Sequence, residues 1–391
     1  MNDSVSESHN AGSHISAVIL DLDGTILNTE QATKDVLKEF LVKYGKVLDR
    51  EKEDTRLGVT MRESSIAIVK DYDLPLTPDR FIQEIMPMYR EKWAQARALP
   101  GANRLIMHLH KHGVPCALAS NSLRANIDAK VSHQEGWKES FSVIIGSDQV
   151  KSGKPSPDLF LEAANKMGVD AVCCLVIEDS LVGVKAAKAA GMKVVAVPSI
   201  QRKLGQFSIA DSVLQSLLEF QPELWGLPPF EDWVDNALPV EPFYLRGLYG
   251  NGLLILNEFA DNGPSALPDQ VSGLYFGWAK VDTYEMIFKV VVSIGWDHDC
   301  CTSERKIQLC LVDGSDEDIC DQQMQLMLVG YIRGLNTKVN TSSNVEIFEE
   351  DKFIAAAAAA AAAALDLPMF VHHTCVPFFS EDGSAASDEN E

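Results

Sequence analysis

The amino-acid sequence predicts an α/β domain with a doubly wound parallel sheet, a helical cap beside it, and a second, mainly antiparallel domain. Apolar runs alternate with helical patterns from residue 17 to residue 197, which is typical of a parallel sheet buried on both faces. A long helical stretch follows the first run, and β-rich runs without intervening helices occupy the second half of the chain. A length of 391 residues is sufficient for two domains.

The strands of the parallel sheet are expected at the apolar runs 17–21, 114–120, 142–148, 172–179 and 193–198. Residues 31–100 separate the first two runs and have helical patterns without a convincing strand. Because a crossover needs only about a dozen residues, this insertion is predicted to be the cap. The expected divisions are a disordered N-terminus over 1–15, a first domain over 16–221, a second over 222–370, and an acidic disordered tail over 371–391.

Composition and charge restrict the kinds of partner. The formal net charge of −22 disfavours nucleic acid and anionic membranes, which the chain would repel. The N-terminal segment resembles neither a secretory signal nor a transit peptide, and no apolar run approaches the length of a membrane span. The eight cysteines show neither a disulfide framework nor a paired metal spacing, so we expect reduced thiols and a cytoplasmic protein.

Polar side chains follow the predicted strands and are expected to gather at one sheet edge, because reactive groups in open α/β sheets lie outside the carboxyl ends of the strands. They are Asp21, Asp23, Thr25, Ser120, Asn121, Glu178 and Asp179, and a nearby loop adds Lys154. Clustered carboxylates repel unless a divalent cation lies among them, and hard oxygen ligands favour Mg²⁺. This set predicts phosphoryl transfer.

The expected roles follow from the residue types. Asp21 is the predicted nucleophile, and Asp23 is the predicted general acid and base, a role that calls for a raised pKa. Ser120 and Lys154 would stabilise charge on the phosphate. Thr25, Ser120, Asn121 and Lys154 are the expected phosphate-binding residues, and Asp21, Asp23 and Asp179 the expected metal ligands, with Glu178 in support. Taken singly, these residues have plainer alternatives, such as helix caps for Ser120 and Glu178 and a solvated surface lysine for Lys154.

Four ordered motifs, "DLDGT", "ASN", "KPSPD" and "IEDSLVG", resemble those of the haloacid dehalogenase-like hydrolases. That resemblance implies the parallel-sheet fold, the cap between the first and second motifs, and the aspartyl-phosphate chemistry. Dehalogenases of this superfamily lack the second aspartate, so Asp23 favours a phosphatase or phosphomutase.

Over about 17–368 the chain also resembles plant bifunctional riboflavin kinase/FMN phosphatases, in segments such as "WGLPPFEDWVDNALPVEPFY", "SGLYFGWA" and "VGYIRG". The resemblance implies that the hydrolase acts on FMN and that the C-terminal half is a β-barrel kinase domain for riboflavin and ATP. The family's Pro-Thr-Ala-Asn segment has no counterpart here, and Gln308 occupies the place of its catalytic glutamate. Gly250-Asn251-Gly252 is either a remnant of the phosphate loop or a hairpin turn.

We therefore predict a Mg²⁺-dependent phosphatase for a small phosphate ester, with FMN favoured, and a kinase-like domain that is inactive or weak, because glutamine cannot accept a proton as a general base. The alternatives are an active bifunctional enzyme, a phosphatase for polyol or sugar phosphates, and a flavin-binding or interaction module at the C-terminal end. The ten alanines of 355–364 offer no apolar and polar faces, so they are not expected to orient a helix.

Overall fold

The structure is a computed structural model that describes residues 14–56, 58–200, 205–256, 267–281, 287–297, 304–312, 322–335 and 347–363. The chain divides into two compact units, Met1–Phe230 and Glu231–Glu391. Two segments were expected to be disordered, 1–15 and 371–391. The second lies outside the described residues, and so do residues 1–13 of the first. Ile15 is described and is buried.

The first unit contains a parallel sheet with the strand order β3-β2-β1-β4-β5-β6 among the described residues. The strands are β1 Ala17–Leu20, β2 Cys116–Ala119, β3 Val143–Ile145, β4 Cys174–Glu178, β5 Lys193–Ala196 and β6 Ser212–Val213. Strand β1 lies between β2 and β4, so the carboxyl ends of these three strands are neighbours. The short edge strand β6 was not predicted, because two residues carry no periodic signal.

Helices cover both faces of the sheet, and the doubly wound prediction is confirmed. They are α5 Ala102–Lys111, α6 Arg124–Val131, α7 Trp137–Ser140, α8 Asp158–Met167 and α9 Leu181–Ala189. Leu105, Ile106 and Leu109 of α5 pack on one face of the sheet, whereas α8 and α9 contribute Leu159 and Val184 to a separate core on the other. Strand β1 is fully buried between the two cores, as its continuous apolar sequence requires.

The insertion between β1 and β2 is helical. It contains α1 Thr29–Val42, α2 Arg50–Asp54, α3 Met61–Asp71 and α4 Pro78–Trp93. These helices have a small core of their own that includes Phe40, Phe81 and Ile85. Two linkers connect the cap to the sheet and are joined by hydrogen bonds of 2.9 Å, from the Asn28 N–H to the Arg97 carbonyl and from the Leu99 N–H to the Ile26 carbonyl.

The second unit is a closed antiparallel barrel, which confirms the prediction for the C-terminal half. Its strands within the described ranges are β7 Leu238–Gly250, β8 Leu253–Leu256, β9 Gly273–Val281, β10 Ile287–Asp297, β11 Glu304–Leu311 and β12 Gln322–Arg333. They close in the order β10-β11-β8-β7-β12-β9.

The structure distinguishes between the two interpretations of Gly250-Asn251-Gly252. Gly250 pairs with Leu253 across the ladder, which leaves Asn251 and Gly252 as a two-residue loop. Their φ angles of 52° and 77° are both positive, as a type I′ turn requires, and Asn-Gly is a favoured sequence for it. The cluster is therefore a hairpin turn.

The alanine run forms most of helix α10, Glu349–Ala363, with Ala364 outside the described residues. The expectation that the run cannot orient a helix was wrong. Ala355, Ala358 and Ala359 are buried against barrel residues, so small side chains at i, i+3 and i+4 provide the contact face. Arg333 of β12 donates two 2.9 Å hydrogen bonds to the Asp351 carboxylate, which attaches the first turn of this helix to the barrel.

Candidate active site

The predicted site residues meet at the carboxyl edge of the sheet. Asp21 directly follows β1, Ser120 follows β2, and Glu178 and Asp179 lie at the end of β4. Lys154 reaches the same edge from the loop before α8. These five residues are all buried.

Lys154 is the positive centre of this group. Its ammonium lies 2.5 Å from Asp21 Oδ1 and 2.7 Å from Glu178 Oε1, with its side chain only 1% exposed. Burial alone would lower the pKa of Lys154, but the two carboxylates outweigh burial and raise it. The lysine is therefore charged, and the surface-lysine alternative is excluded.

Three carboxylates share one small volume. Oxygen atoms of Asp21, Glu178 and Asp179 lie within 4.8 Å of one another. Burial, opposed by Lys154 and reinforced by Glu178 and Asp23, raises the pKa of Asp21 to about 7. Burial, with the charges of Glu178, Glu30 and Asp21, also holds the pKa of Asp179 well above its ordinary value. These carboxylate oxygens are hard ligands, and Lys154 alone does not balance their negative charge. A divalent cation such as Mg²⁺ would fit among them.

Thr25 and Gly24 allow the three carboxylates to lie this close together. The Thr25 hydroxyl lies 3.1 Å from Asp21 Oδ2 and 3.0 Å from Asp179 Oδ1, where it can donate to either. Gly24 has a φ of 82°, and a Cβ there would lie 2.5 Å from Asp179 Oδ2. Only glycine combines that backbone conformation with such a close carboxylate. Thr25 thus contacts the acidic cluster, and its binding of phosphate stays a prediction.

Asp23 differs from its prediction in two respects. Its carboxylate is outside the acidic cluster and accepts hydrogen bonds from Lys130 Nζ at 2.7 and 2.9 Å, Thr29 at 2.7 Å and Ser122 at 2.9 Å. Burial would raise the pKa of Asp23, but the Lys130 ammonium and these hydrogen bonds lower it below its ordinary value. The expected raised pKa is wrong for this arrangement, because Lys130 favours the ionised form.

Ser120 and Asn121 also have protein partners. Ser120 accepts a hydrogen bond from the Ser122 N–H at 3.1 Å, and its hydroxyl lies 3.4 Å from Asp23 Oδ2. The Asn121 amide donates to the carbonyls of Gly58 and Lys154 and accepts from the Lys154 N–H at 2.8 Å. Asn121 therefore joins a cap loop to the lysine loop, and its binding of phosphate stays a prediction.

Sequence reasoning missed Thr29, Ser122 and Lys130, which surround Asp23. Ser122 follows the "ASN" motif directly, and Thr29 lies six residues after Asp23, so proximity to motifs was an available signal. Lys130 carries no such signal, because it lies in the last turn of α6, where a lysine is ordinarily a solvated residue.

In the barrel, Gln308 lies on β11 opposite Ser293 of β10 and pairs with Leu253 of β8. It is half-buried and alternates with the buried Ile307 and Leu309. Its side chain ends in an amide, which is neutral.

Comparison with known proteins agrees with this geometry. Residues 18–197 match the haloacid dehalogenase-like hydrolase family, and residues 260–351 match the riboflavin kinase family. The first unit is thus a haloacid dehalogenase-like hydrolase, a phosphoric monoester hydrolase, joined to a riboflavin kinase domain.

The chain is 43% identical over 379 residues to a bifunctional riboflavin kinase/FMN phosphatase of Arabidopsis thaliana, covering 94% of this chain and 97% of the relative. It therefore belongs to the bifunctional riboflavin kinase/FMN phosphatase family. The (DL)-glycerol-3-phosphatase 2 of the same plant is 36% identical over 225 residues, which is 56% of this chain and 94% of that protein.

One similar solved structure is that of CbbY from Rhodobacter sphaeroides in complex with phosphate. It is 27% identical with a TM-score of 0.46, and the match covers 52% of this chain and 96% of that one. Within the described ranges, no helix combines the length and the apolar character needed to cross a bilayer.

Proposed function

We propose that the first unit is a Mg²⁺-dependent phosphatase that hydrolyses FMN to riboflavin through an aspartyl phosphate on Asp21. The observation that carries the proposal is the position of Asp21, which lies 2.5 Å from the Lys154 ammonium and belongs to an acidic cluster that fits a divalent cation. A buried carboxylate in such a place can approach an anionic phosphate only if its surroundings supply positive charge.

In the first step an Asp21 oxygen bonds to phosphorus as the phosphorus–oxygen ester bond breaks, and Asp23 gives a proton to the departing alcohol. An arriving phosphate adds negative charge near Asp23, which favours its protonated form. In the second step water attacks the aspartyl phosphate while Asp23 accepts its proton, which releases phosphate and restores Asp21. Because its pKa is lowered in this arrangement, Asp23 is ionised and able to accept the proton of the second step.

The other residues bind and neutralise the phosphate. Lys154 stabilises negative charge beside Asp21, and the Ser120 hydroxyl lies next to Asp23, where a phosphate oxygen can meet it. Asp21 and Asp179, with Glu178 beside them, would hold Mg²⁺, which when bound supplies positive charge to the phosphate oxygens.

FMN is favoured because the relative that covers nearly the whole chain is an FMN phosphatase. A small polyol phosphate is the second candidate, since a glycerol-3-phosphatase is 36% identical to this chain over 225 residues. We also propose that the hydrolase domain spans 16–221, that the riboflavin kinase-like domain spans 222–370, and that the protein is cytoplasmic.

We further propose that the barrel has little or no riboflavin kinase activity. The support is the amide of Gln308 in place of a carboxylate, and the tight Asn251-Gly252 turn in place of a phosphate loop. Such a barrel can still bind riboflavin or ATP. An active bifunctional enzyme is the alternative, favoured by the family to which the chain belongs.

A phosphate-release assay with Mg²⁺ tests the first proposal on FMN, glycerol 3-phosphate and a sugar phosphate. Asp21→Asn should lose at least about 1,000-fold in kcat, since the nucleophile is gone. Asp128→Asn, an exposed carboxylate paired with Arg124, is the matched control and should stay within about twofold of wild type. Equal activity of Asp21→Asn and wild type would disprove the covalent mechanism, whereas a preference for glycerol 3-phosphate would change only the substrate.

The Asp21→Asn chain also tests the kinase proposal, because FMN made by the barrel would no longer be hydrolysed. Incubation with riboflavin, ATP and Mg²⁺ should yield no FMN by chromatography. Sustained FMN formation by this variant would show that the barrel is an active kinase.

A further inference from the structure

Lys130 is buried at the active-site edge although no sequence motif includes it. Its side chain is 6% exposed, whereas that of its partner Asp23 is 27% exposed. Burial of an ammonium is unfavourable unless it is paired and hydrogen-bonded, so its surroundings must satisfy it.

The protein itself provides those partners. Lys130 Nζ lies 2.7 Å from Asp23 Oδ1, 2.9 Å from Asp23 Oδ2 and 3.0 Å from Ser122 Oγ. The two Asp23 oxygens are too close together to take separate N–H groups of a tetrahedral ammonium, so they share one donor, and Ser122 Oγ takes another. Lys130 is therefore placed to hold enzyme groups.

Together these contacts fix the Asp23 carboxylate. Lys130 donates to both oxygens of Asp23, while the Thr29 hydroxyl donates to Oδ1 and the Ser122 hydroxyl donates to Oδ2. A two-point contact restricts rotation of the carboxylate about its terminal bond, which a single hydrogen bond would allow. The Asp23 carboxylate is thus held outside the cluster of Asp21, Glu178 and Asp179.

Lys130 also contacts the cap. Its ammonium lies 4.9 Å from the ring centroid of Trp93, the last residue of α4, and this ring is buried. One turn earlier on α4, Arg90 lies 3.4 Å from the side-chain oxygen of Asn126 on α6. The same ammonium therefore touches the reacting edge of the sheet and the helix that ends the cap.

We infer that Lys130 is a positioning residue, which holds the Asp23 carboxylate in its reactive place and makes that place depend on the seating of cap helix α4 against it through Trp93. This inference rests on the proposed function, because it assigns to Lys130 an effect that passes through Asp23. It predicts that substitutions of Lys130 and Asp23 are coupled.

The test is a double-mutant cycle on kcat with glycerol 2-phosphate, a simple alkyl phosphate whose alcohol needs a proton as it departs. Lys130→Met should lower kcat by about 10- to 100-fold, a part of the effect of a general acid–base group. In the Asp23→Asn background the same substitution should change kcat by less than about twofold. Lys130→Arg should recover part of the loss, because it keeps a charged donor. Lys166→Met, an exposed helical lysine paired with Glu162, is the control and should be unchanged.

The outcomes separate the inference from the function on which it rests. If Asp23→Asn itself keeps full activity, the proposed role of Asp23 is overturned. If Asp23→Asn is impaired and Lys130→Met has no effect, or costs the same factor in both backgrounds, Lys130 does not act through Asp23. If Lys130→Met does not fold, by its thermal unfolding curve, Lys130→Gln takes its place in the cycle.

The cap contact is tested in the same cycle. Trp93→Leu removes the ring and should lower kcat by a smaller factor than Lys130→Met, with no further loss when the two are combined. If the losses in kcat of Trp93→Leu and Lys130→Met are fully additive, Trp93 does not act through Lys130, and that part of the inference is overturned.

Discussion

Gly183→Ala should impair the enzyme through its effect on Glu178. Gly183 is in α9 and has ordinary helical backbone angles, so alanine alone would stabilise the helix by about 1 kcal/mol. Its Cβ would, however, overlap Oε1 and Cδ of Glu178 and come within 2.6 Å of Oε2.

The structure indicates which effect prevails. Glu178 is held by Lys154 at 2.7 Å, by the Ser180 N–H at 2.7 Å and by the Ser180 hydroxyl at 3.0 Å, with 1% of its side chain exposed. To admit the methyl group, the carboxylate must leave Lys154. Separating one partner of a buried ion pair costs about 3 to 5 kcal/mol, which exceeds the helix gain. We expect a net loss of about 2 to 4 kcal/mol in unfolding free energy, and a fall in kcat of about tenfold or more because Lys154 loses its anchor.

Denaturant unfolding followed by fluorescence measures the stability of Gly183→Ala, and phosphate release measures kcat. Gly205→Ala is the matched control, because a Cβ there meets nothing within 4 Å. Adding Gly183→Ala to Glu178→Ala should cost nothing further, since the clash is gone. A Gly183→Ala enzyme as stable and as active as wild type would refute the reasoning.

Three further predictions concern charge. Burial raises the pKa of Glu219 from 4.5 to about 7, so an ionised Glu219 destabilises the folded state, and this effect grows as the pH rises above 4.5. Glu219→Gln should therefore increase the unfolding free energy by about 1 to 3 kcal/mol at pH 8 and leave it unchanged at pH 4, as measured by denaturant unfolding. Arg333→Met should speed amide hydrogen exchange in 349–363 by about tenfold or more, because the buried Asp351 loses its charged partner, whereas an equal rate would show that the alanine face alone secures α10. Asp179→Asn should raise the thermal midpoint without Mg²⁺, since it relieves repulsion, and remove the further rise that Mg²⁺ gives to wild type. An unchanged Mg²⁺ response would show that Asp179 is not a ligand.

The sequence predicted the sheet and the meeting of its polar residues for a simple reason. Continuous apolar runs indicate strands buried on both faces, and parallel strands direct their carboxyl ends to one edge, so Asp21, Ser120 and Asp179 had to approach one another. The hairpin at Asn251-Gly252 was likewise one of two stated alternatives, since its turn chemistry is local.

Contacts that depend on packing were not predictable in this way. Nothing local distinguishes Lys130 from a surface lysine, because its partners lie 107 residues earlier at Asp23 and on a cap helix. The expected pKa of Asp23 failed for the same reason. The buried face of α10 was missed because alanine has no polarity by which to choose a side, and the barrel surface makes that choice.

The central place of β1 has a consequence for how the chain acquires its fold. Val18 pairs with Cys116 on one side and with Leu175 on the other, so β1 waits during synthesis for partners about 100 and 160 residues later. At about 5 to 20 residues per second, this apolar strand lacks its ladder for many seconds on the ribosome. The cap helices, whose contacts are local, have the opportunity to form during that interval. The same insertion that stands beside the finished active site therefore delays the assembly of the sheet on which that site is built.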